Sequence, residues 1–213
     1  MPASLSHTPV SARRAKDAYP IGAHLSGASI AIGAFDGVHL GHQAVIGTML
    51  RRARSQGMAA LVQTFDPLPK VAFGRGRPIC SLSERIARLY ALGVDRVHVA
   101  DFTPDYAARP AEAFLDDLSE MGVREVYVGE DFRFGRGRTG DPALLATRFC
   151  VTTAESVTCP LGERISSTRI RGLRASGQPG AARTLLGLLP GAFALVQEAA
   201  AQNLSPLDLE MLS

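Results

Sequence analysis

Cysteine is scarce in this chain of 213 residues, which contains only Cys80, Cys150 and Cys159. The three are irregularly spaced, their number is odd and no CxxC pair occurs, so the sequence indicates neither a disulfide framework nor a zinc site. Because this usage is typical of a reducing compartment, we expect a cytoplasmic protein.

Long apolar runs are also missing, since none approaches the roughly 20 residues that a membrane-spanning helix needs. No apolar signal-peptide core follows the basic residues Arg13, Arg14 and Lys16, which argues against secretion. We therefore expect a soluble protein with no membrane partner, whose residues 1–20 form a loose tail.

Blocks of charge of one sign are absent as well. The chain has 23 Lys and Arg against 20 Asp and Glu, a formal net charge of +3, and its arginines are scattered among acids. This mild excess favours a small phosphate-bearing substrate over a nucleic-acid groove. We expect no nucleic-acid partner.

The most informative stretch that is present is GAFDGVHLGH at residues 33–42. It follows the apolar run 29–32 and precedes a helical pattern, which predicts a strand, a glycine-rich turn and the start of a helix. Free N–H groups at a helix start bind anions, and glycines let backbone approach a ligand or serve turn geometry alone. The glycines are Gly33, Gly37 and Gly41.

Two histidines of this stretch, His39 and His42, lie three residues apart and share one helix face. Both can point at one polyphosphate chain, and we expect the nucleotide to be ATP. The spacing could also hold a metal, but no third ligand lies nearby in suitable spacing. Asp36 could orient a histidine or cap the helix.

A second stretch suited to phosphates is ISSTRIR at residues 165–171. Its hydroxyl groups and the N–H groups of a helix start suit the leaving phosphates, with Ser167 predicted to cap the helix. The alternative is an ordinary serine-capped basic helix.

The first stretch resembles the HxGH signature of the nucleotidylyltransferase superfamily. Its GxFDGVHxGH form resembles the FAD synthetase module of the bacterial bifunctional riboflavin kinase/FAD synthetases. Three further stretches occur in that family's order: TFDPLP at 64–69, VGEDFRFG at 128–135 and ISSTRIR at 165–171. The resemblance covers residues 29–187. The riboflavin kinase domain of that family has no room in what remains, so we expect it to be absent.

The resemblance implies an FMN adenylyltransferase that makes FAD and pyrophosphate from ATP and FMN. It implies that Mg²⁺ arrives on the ATP phosphates without a direct protein ligand, and that a separate riboflavin kinase supplies FMN. His39 and His42 would donate hydrogen bonds to the phosphates, and Arg171 would clamp them. The other implied ATP-binding residues are Gly33, Phe35, Asp36, Gly37, Gly41, Ser166, Ser167 and Thr168.

The second and third motifs would contact the flavin through aromatic rings and carboxylates. The implied residues are Phe65, Asp66, Pro67, Asp131, Phe132 and Phe134. The alternative for them is a strand-end turn and aromatics of the core. Leu68 departs from the family pattern, which has a polar residue there, commonly His.

Strands alternate with helices along the chain, which predicts an α/β fold with a Rossmann-like, doubly wound parallel sheet. All four motifs begin at or just after predicted strand ends, so we expect them to converge on one side of the sheet. The predicted strands are 29–34, 58–64, 96–100, 125–128 and an extended piece at 150–157. The predicted helices are 42–55, 84–92, 110–121, a short one from 141, 167–176 and 179–187.

GRGRTG at residues 135–140 matches the dinucleotide pattern GxGxxG but lies too late in the chain to be a Rossmann fingerprint. We expect instead either a lid whose Arg136 or Arg138 reaches a substrate phosphate, or a solvated loop. The catalytic domain is predicted to span 21–189, with an alanine-rich helix and a tail over 190–213.

Two rival functions stay open at this point. The first keeps the enzyme class and changes the acceptor, giving an adenylyl- or cytidylyltransferase for another small phosphate ester. The second is a non-catalytic paralogue that binds FMN or FAD.

Overall fold

The computed structural model describes residues 27–159 and 162–187. In this part of the chain, five parallel strands form one sheet in the order β3-β2-β1-β4-β5, which confirms the predicted α/β doubly wound class. The strands are β1 (Ala28–Ile32), β2 (Ala59–Asp66), β3 (Arg96–Asp101), β4 (Val123–Gly129) and β5 (Cys150–Ala154).

Eight α-helices are described in the same part of the chain. They are α1 (Leu40–Gln56), α2 (Pro69–Ala72), α3 (Leu82–Ala91), α4 (Pro104–Ala107), α5 (Ala111–Glu120), α6 (Pro142–Leu145), α7 (Ser167–Ala175) and α8 (Pro179–Leu185), with a 3-10 turn at Arg136–Arg138. None of them is long and apolar enough to cross a membrane. The predicted tail at 1–20 and the predicted helix within 190–213 lie outside the described residues.

Most helix ends follow the local chemistry of the sequence. Ser81 caps α3 by accepting from the Glu84 N–H, and Asp141 caps α6 in the same way. Gly57 ends α1 in the left-handed conformation at φ 63°. The helices α2 and α4 were not predicted, because four residues are too few to show an apolar period.

Both faces of the sheet are covered, as the alternation of side chains along β1 shows. Ile30 and Ile32 point into one core layer, which contains Phe114 and Leu118 of α5. Ala31 points into the opposite layer, which contains residues of α1 and α3. Burial of successive residues on opposite faces is what a parallel strand between two helical layers requires.

A third apolar cluster attaches α7 and α8 to the body of the domain. Ile170 of α7 and Leu185 of α8 pack with Ile79, and Leu40 at the start of α1 packs against this cluster. The cluster brings the start of α7 beside the turn that follows β1.

The order of the strands reverses at β1, which lies between β2 and β4. In sheets of this kind a crevice opens outside the carboxyl ends of the strands at the point of reversal. The turn after β1 and the loop after β4 both lie there, and both carry predicted motifs.

Candidate active site

A cavity of about 880 Å³ opens at this end of the sheet, and parts of all four motifs line it. Of the predicted site residues, Gly37, Asp66 and Pro67 do not line it. Those that do are Gly33, Phe35, Asp36, His39, Gly41, His42, Phe65, Asp131, Phe132, Phe134, Ser166, Ser167, Thr168 and Arg171.

The turn after β1 is tightly wound and buried. Phe35, Gly37 and Val38 all have positive φ, at 45°, 82° and 49°. At Gly37 a Cβ would lie 2.8 Å from Leu186 Cδ2 and 2.9 Å from Ile79 Cγ2, so both the conformation and the space require glycine. The turn geometry therefore accounts for this glycine without any ligand.

The two histidines form a stacked pair at the start of α1. Their ring centroids are 3.5 Å apart with planes at 17°. His39 is the N-cap, and its Nδ1 accepts from the His42 N–H at 3.3 Å, so the ring proton lies on Nε2. At Gly41 a Cβ would come within 3.2 Å of the His39 ring, so glycine makes room for the stack.

Burial sets the charge of this pair. Desolvation is the main reason that the pKa of His39 falls to about 4, and the nearby positive charge of Arg164 also lowers it. Desolvation, with a contribution from His39, lowers the pKa of His42 well below its ordinary value. Both rings are therefore neutral near pH 7, so they can stack without repulsion. The Nε2–H of His39 is then an uncharged donor.

Asp36 connects the first motif to the fourth. Its Oδ1 accepts from the Ile79 N–H at 2.7 Å, and its Oδ2 accepts from Arg171 Nη1 at 2.8 Å. The predicted roles of Asp36 as helix cap or histidine anchor are both wrong, because His39 caps α1 and the carboxylate is occupied by Ile79 and Arg171. The aspartate instead orients the arginine that was predicted to hold phosphates.

The start of α7 faces the cavity. Ser166 is the N-cap and accepts from the Arg169 N–H at 3.2 Å, which corrects the prediction of Ser167. The Ser167 hydroxyl donates to the Asp36 carbonyl at 3.1 Å. The Oγ1 atom of Thr168 lies 3.5 Å from Nζ of Lys70. This helix start, with a basic side chain beside it, suits an anion.

The described lining of the cavity is strongly basic. Three carboxylates line it, those of Asp36, Asp131 and Glu155. Arg171 and Arg164 pair with the first two of these. Such an excess of positive charge favours a polyanionic ligand. The eight basic residues of the lining are Lys70, Arg75, Arg77, Arg109, Arg133, Arg138, Arg164 and Arg171.

The aromatic residues predicted to contact flavin differ in burial. Phe65 and Phe134 are each 8% exposed and belong to the core cluster. Phe132 is half-buried, with its ring stacked 5.6 Å from that of Phe134. Core packing thus accounts for Phe65 and Phe134, and Phe132 is the most accessible of the three rings. Leu68 is buried and adds apolar surface to the cavity.

The two carboxylates that were predicted to contact flavin, Asp66 and Asp131, are exposed. Asp131 lies 3.5 Å from Arg164 and Asp66 lies 3.6 Å from Arg85, measured between ion-pair atoms. Arg138 of the 3-10 turn lines the cavity, whereas Arg136 does not. This turn follows β4, so the rejection of the dinucleotide pattern is confirmed by its place in the fold.

Sequence reasoning missed two arginines of α3 that hold the turn after β1. Arg85 is 2% exposed and donates to the carbonyl of Ala34, while Arg88 donates to the carbonyl of Gly37 at 2.7 Å. The spacing could have indicated that Arg85 is buried, because it lies four residues before Leu89 and so shares the apolar face of α3.

Comparison with known proteins agrees with this geometry. The family model for FAD synthetase matches residues 22–169. A Geobacillus thermodenitrificans protein, provisionally named a bifunctional riboflavin kinase/FMN adenylyltransferase, is 46% identical over 166 residues, covering 78% of this chain and 93% of its own. The bifunctional riboflavin kinase/FMN adenylyltransferase of Escherichia coli strain K12 is 35% identical over 171 residues, covering 76% of this chain.

This chain spans about half the length of the E. coli protein, since the match covers 54% of it. A solved structure described as a macrolide-efflux protein from Streptococcus pneumoniae superposes with a TM-score of 0.69 at 29% identity, covering 76% of this chain and 57% of that one. The family match spans more than half of the chain, and the Geobacillus and E. coli relatives share one enzyme name. This chain therefore belongs to the FAD synthetase family, a family of nucleotidyltransferase enzymes.

Proposed function

We propose that this domain transfers AMP from ATP to the phosphate of FMN, giving FAD and pyrophosphate. The observation that carries the proposal is the pair of stacked, neutral histidines beside the start of α7 in one basic cavity. Family membership supports the same reaction.

In the proposed reaction, an oxygen of the FMN phosphate attacks the α-phosphorus of ATP in line. The bond from the α-phosphorus to the bridging oxygen breaks, and pyrophosphate leaves with the electron pair. No covalent enzyme intermediate is needed, so the protein contributes positioning and charge stabilisation. In this proposal, His39 and His42 donate N–H groups to the phosphate oxygens as charge develops there.

Arg171 is the proposed clamp for the outer phosphates. Its guanidinium is already oriented by Asp36, so part of the cost of ordering this long side chain is met before ATP binds. Ser166, Ser167 and Thr168 bring the first turn of α7 to the same end of the cavity. We propose that this region binds the phosphates that leave as pyrophosphate.

At the other end of the cavity, we propose that the flavin ring packs against Phe132 and the apolar surface that includes Leu68. Asp131 is exposed and lines the cavity, so we propose that it accepts from the polar edge of the ring, whereas Asp66 lies outside the lining. A volume of about 880 Å³ is at the upper end of the range for ligand sites, which suits two substrates bound together.

Mg²⁺ is proposed to enter bound to the nucleotide. Within the described ranges, no group of three or more His, Cys, Asp or Glu side chains could hold a metal ion. The ion would therefore take most of its ligands from phosphate oxygens and water, and it would neutralise phosphate charge. We further propose that a separate riboflavin kinase supplies FMN and that the reaction takes place in the cytoplasm, where the thiols of Cys80, Cys150 and Cys159 would stay reduced.

The test is to incubate the purified protein with ATP, FMN and Mg²⁺ and to follow FAD and pyrophosphate by chromatography. Parallel reactions replace FMN with riboflavin and ATP with CTP. We expect equal amounts of FAD and pyrophosphate from ATP and FMN, and neither product in the parallel reactions. Flavin binding without FAD formation would contradict the proposal and support a binding role. Pyrophosphate release only with another phosphate ester would show a different acceptor.

A further inference from the structure

One buried cation contacts the two turns that the proposed reaction must align. The Arg85 side chain is 3% exposed, and α3 carries it beneath the carboxyl ends of β1 and β2. Its Nη1 donates to the carbonyl of Ala34 at 3.1 Å, and its Nη2 donates to the carbonyl of Phe65 at 3.0 Å. The planar guanidinium makes the two bonds from two nitrogens in a fixed fork, a geometry that the single ammonium nitrogen of a lysine does not provide.

The two carbonyls that Arg85 contacts begin the two turns. Ala34 immediately precedes the left-handed residue Phe35, from which the chain turns towards the stacked histidines. The carbonyl of Phe65 belongs to the peptide that leads into Asp66 and Pro67. One side chain thus connects the turn proposed to hold ATP phosphates with the turn proposed to hold flavin.

The ion pair that Arg85 makes with Asp66 is loose, so it does not by itself account for this placement. The carboxylate of Asp66 is exposed and lies 3.6 Å from Arg85 Nη2, outside hydrogen-bond range. Arg85 Nε is buried and has no hydrogen-bond partner among the described residues. Burying a charge costs free energy that an exposed counter-ion at this distance offsets only in part, so the two carbonyl bonds supply the closest compensation.

We propose that Arg85 is a positioning residue that sets the distance between the ATP half and the flavin half of the site. This inference rests on the proposed function. Each substrate still meets its own half when Arg85 is replaced, but the attacking oxygen and the α-phosphorus are no longer held in line. Because a misplacement of about 1 Å can cost about 100-fold in rate, the loss falls on kcat.

The experiment compares Arg85→Met and Arg85→Lys with the unchanged protein in the FAD-forming assay. We expect kcat to fall about 100-fold in Arg85→Met while the KM values for ATP and FMN change by less than about threefold. Arg85→Lys keeps the charge and one carbonyl bond, so we expect a loss of about tenfold. Should the methionine variant fail to fold, the lysine variant carries the test.

The matched control is Arg54→Met. Arg54 also donates to a backbone carbonyl, that of Gly93, and pairs with Asp95, but it lies outside the cavity. We expect its kcat and both KM values to be unchanged.

Two results would overturn the inference on Arg85 while leaving the proposed function intact. One is an unchanged kcat in folded Arg85→Met, and the other is a loss confined to the KM of either substrate. If the unchanged protein forms no FAD, the proposed function fails, and the role of Arg85 fails with it.

Discussion

The two ends of the cavity are built differently. At the phosphate end, formed by residues 33–42 and 165–171, the side chains of Asp36, His39 and Arg171 are held by other parts of the chain before any substrate binds. At the acceptor end, formed by Phe65, Leu68 and residues 131–134, the carboxylate of Asp131 is exposed and only loosely paired.

This contrast in rigidity fits what each end is proposed to bind. Stabilising the transition state of phosphoryl transfer depends on donors that need no reorganisation, which fits the fixed side chains at the phosphate end. Recognition of a broad apolar ring depends mainly on contact area, which a looser surface can supply. We therefore expect substitutions at the phosphate end to affect stability and turnover, and those at the acceptor end to affect affinity.

The largest effect is expected on stability when Asp36 is replaced. Asp36→Ala leaves Arg171 without its counter-ion and the Ile79 N–H without an acceptor, so we expect the free energy of unfolding to fall by about 3–5 kcal/mol. Denaturant unfolding measures this. The control is Asp116→Ala, which breaks an exposed pair with Arg148 and should cost less than about 1 kcal/mol. Equal losses of unfolding free energy in the two variants would contradict the expectation that the Asp36 contacts matter more than an exposed ion pair.

The next effect is on turnover. His39→Ala or His42→Ala removes a donor from the stacked pair, and we expect kcat for FAD formation to fall about 100- to 1,000-fold with the fold retained. Circular dichroism checks the fold. The control is His98→Ala on β3, a half-buried histidine outside the cavity, which should keep its turnover. Near-normal turnover in both cavity variants would show that the pair has no catalytic role.

Because His39 is buried, the stability of the protein should also depend on pH. Burial lowers the pKa of His39 to about 4 from 6.5, so the unfolded chain binds a proton that the folded chain lacks between these values. The free energy of unfolding is therefore higher by about 3 kcal/mol above pH 6.5, and this difference is lost as pH falls through about 4.

Urea unfolding at pH 7, 5.5 and 4 measures that loss. The variant His39→Gln cannot titrate, so its stability should fall less over this range than that of the unchanged protein. Parallel pH profiles for the two proteins would mean that His39 does not carry the effect.

The smallest effect is expected at the acceptor end. Phe132→Leu removes an accessible ring, and stacking of this kind contributes about 0.5–1.5 kcal/mol. The KM for FMN should therefore rise by up to about tenfold, while the KM for ATP should stay unchanged. Phe134→Leu replaces a core ring and should lower stability instead. Steady-state kinetics and thermal unfolding of both variants would separate the two. A larger FMN effect in Phe134→Leu would reverse the assignment.

Local chemistry made much of the fold predictable. Apolar runs located the five strands and a helical apolar period located most helices, while caps such as Ser81 and Asp141 lie directly before the helices that they cap. Element ends shifted by a few residues because pairing with neighbouring strands, rather than local preference, decides where a strand ends. For example, β2 runs on to Asp66 because it pairs with Asp101 of β3.

The candidate site was predictable in part. The glycines and histidines of residues 33–42 indicated phosphates because their spacing is local. The roles of Asp36 and Ser167 were misassigned, since the groups that they contact lie far away along the chain. Arg85 and Arg88 were missed because a charged residue on a short amphipathic helix is usually solvated.

Periodicity, turn residues and caps act over a few neighbouring positions, so the class of fold, the order of the strands and longer helices, and the four motifs follow from the sequence alone. How the motifs are joined depends on tertiary packing. The bond between Asp36 and Arg171 spans 135 positions, and Arg85 contacts carbonyls 51 and 20 positions away. Such contacts form only when α3 packs against the sheet and α7 packs in the apolar cluster around Ile79, which no local pattern encodes.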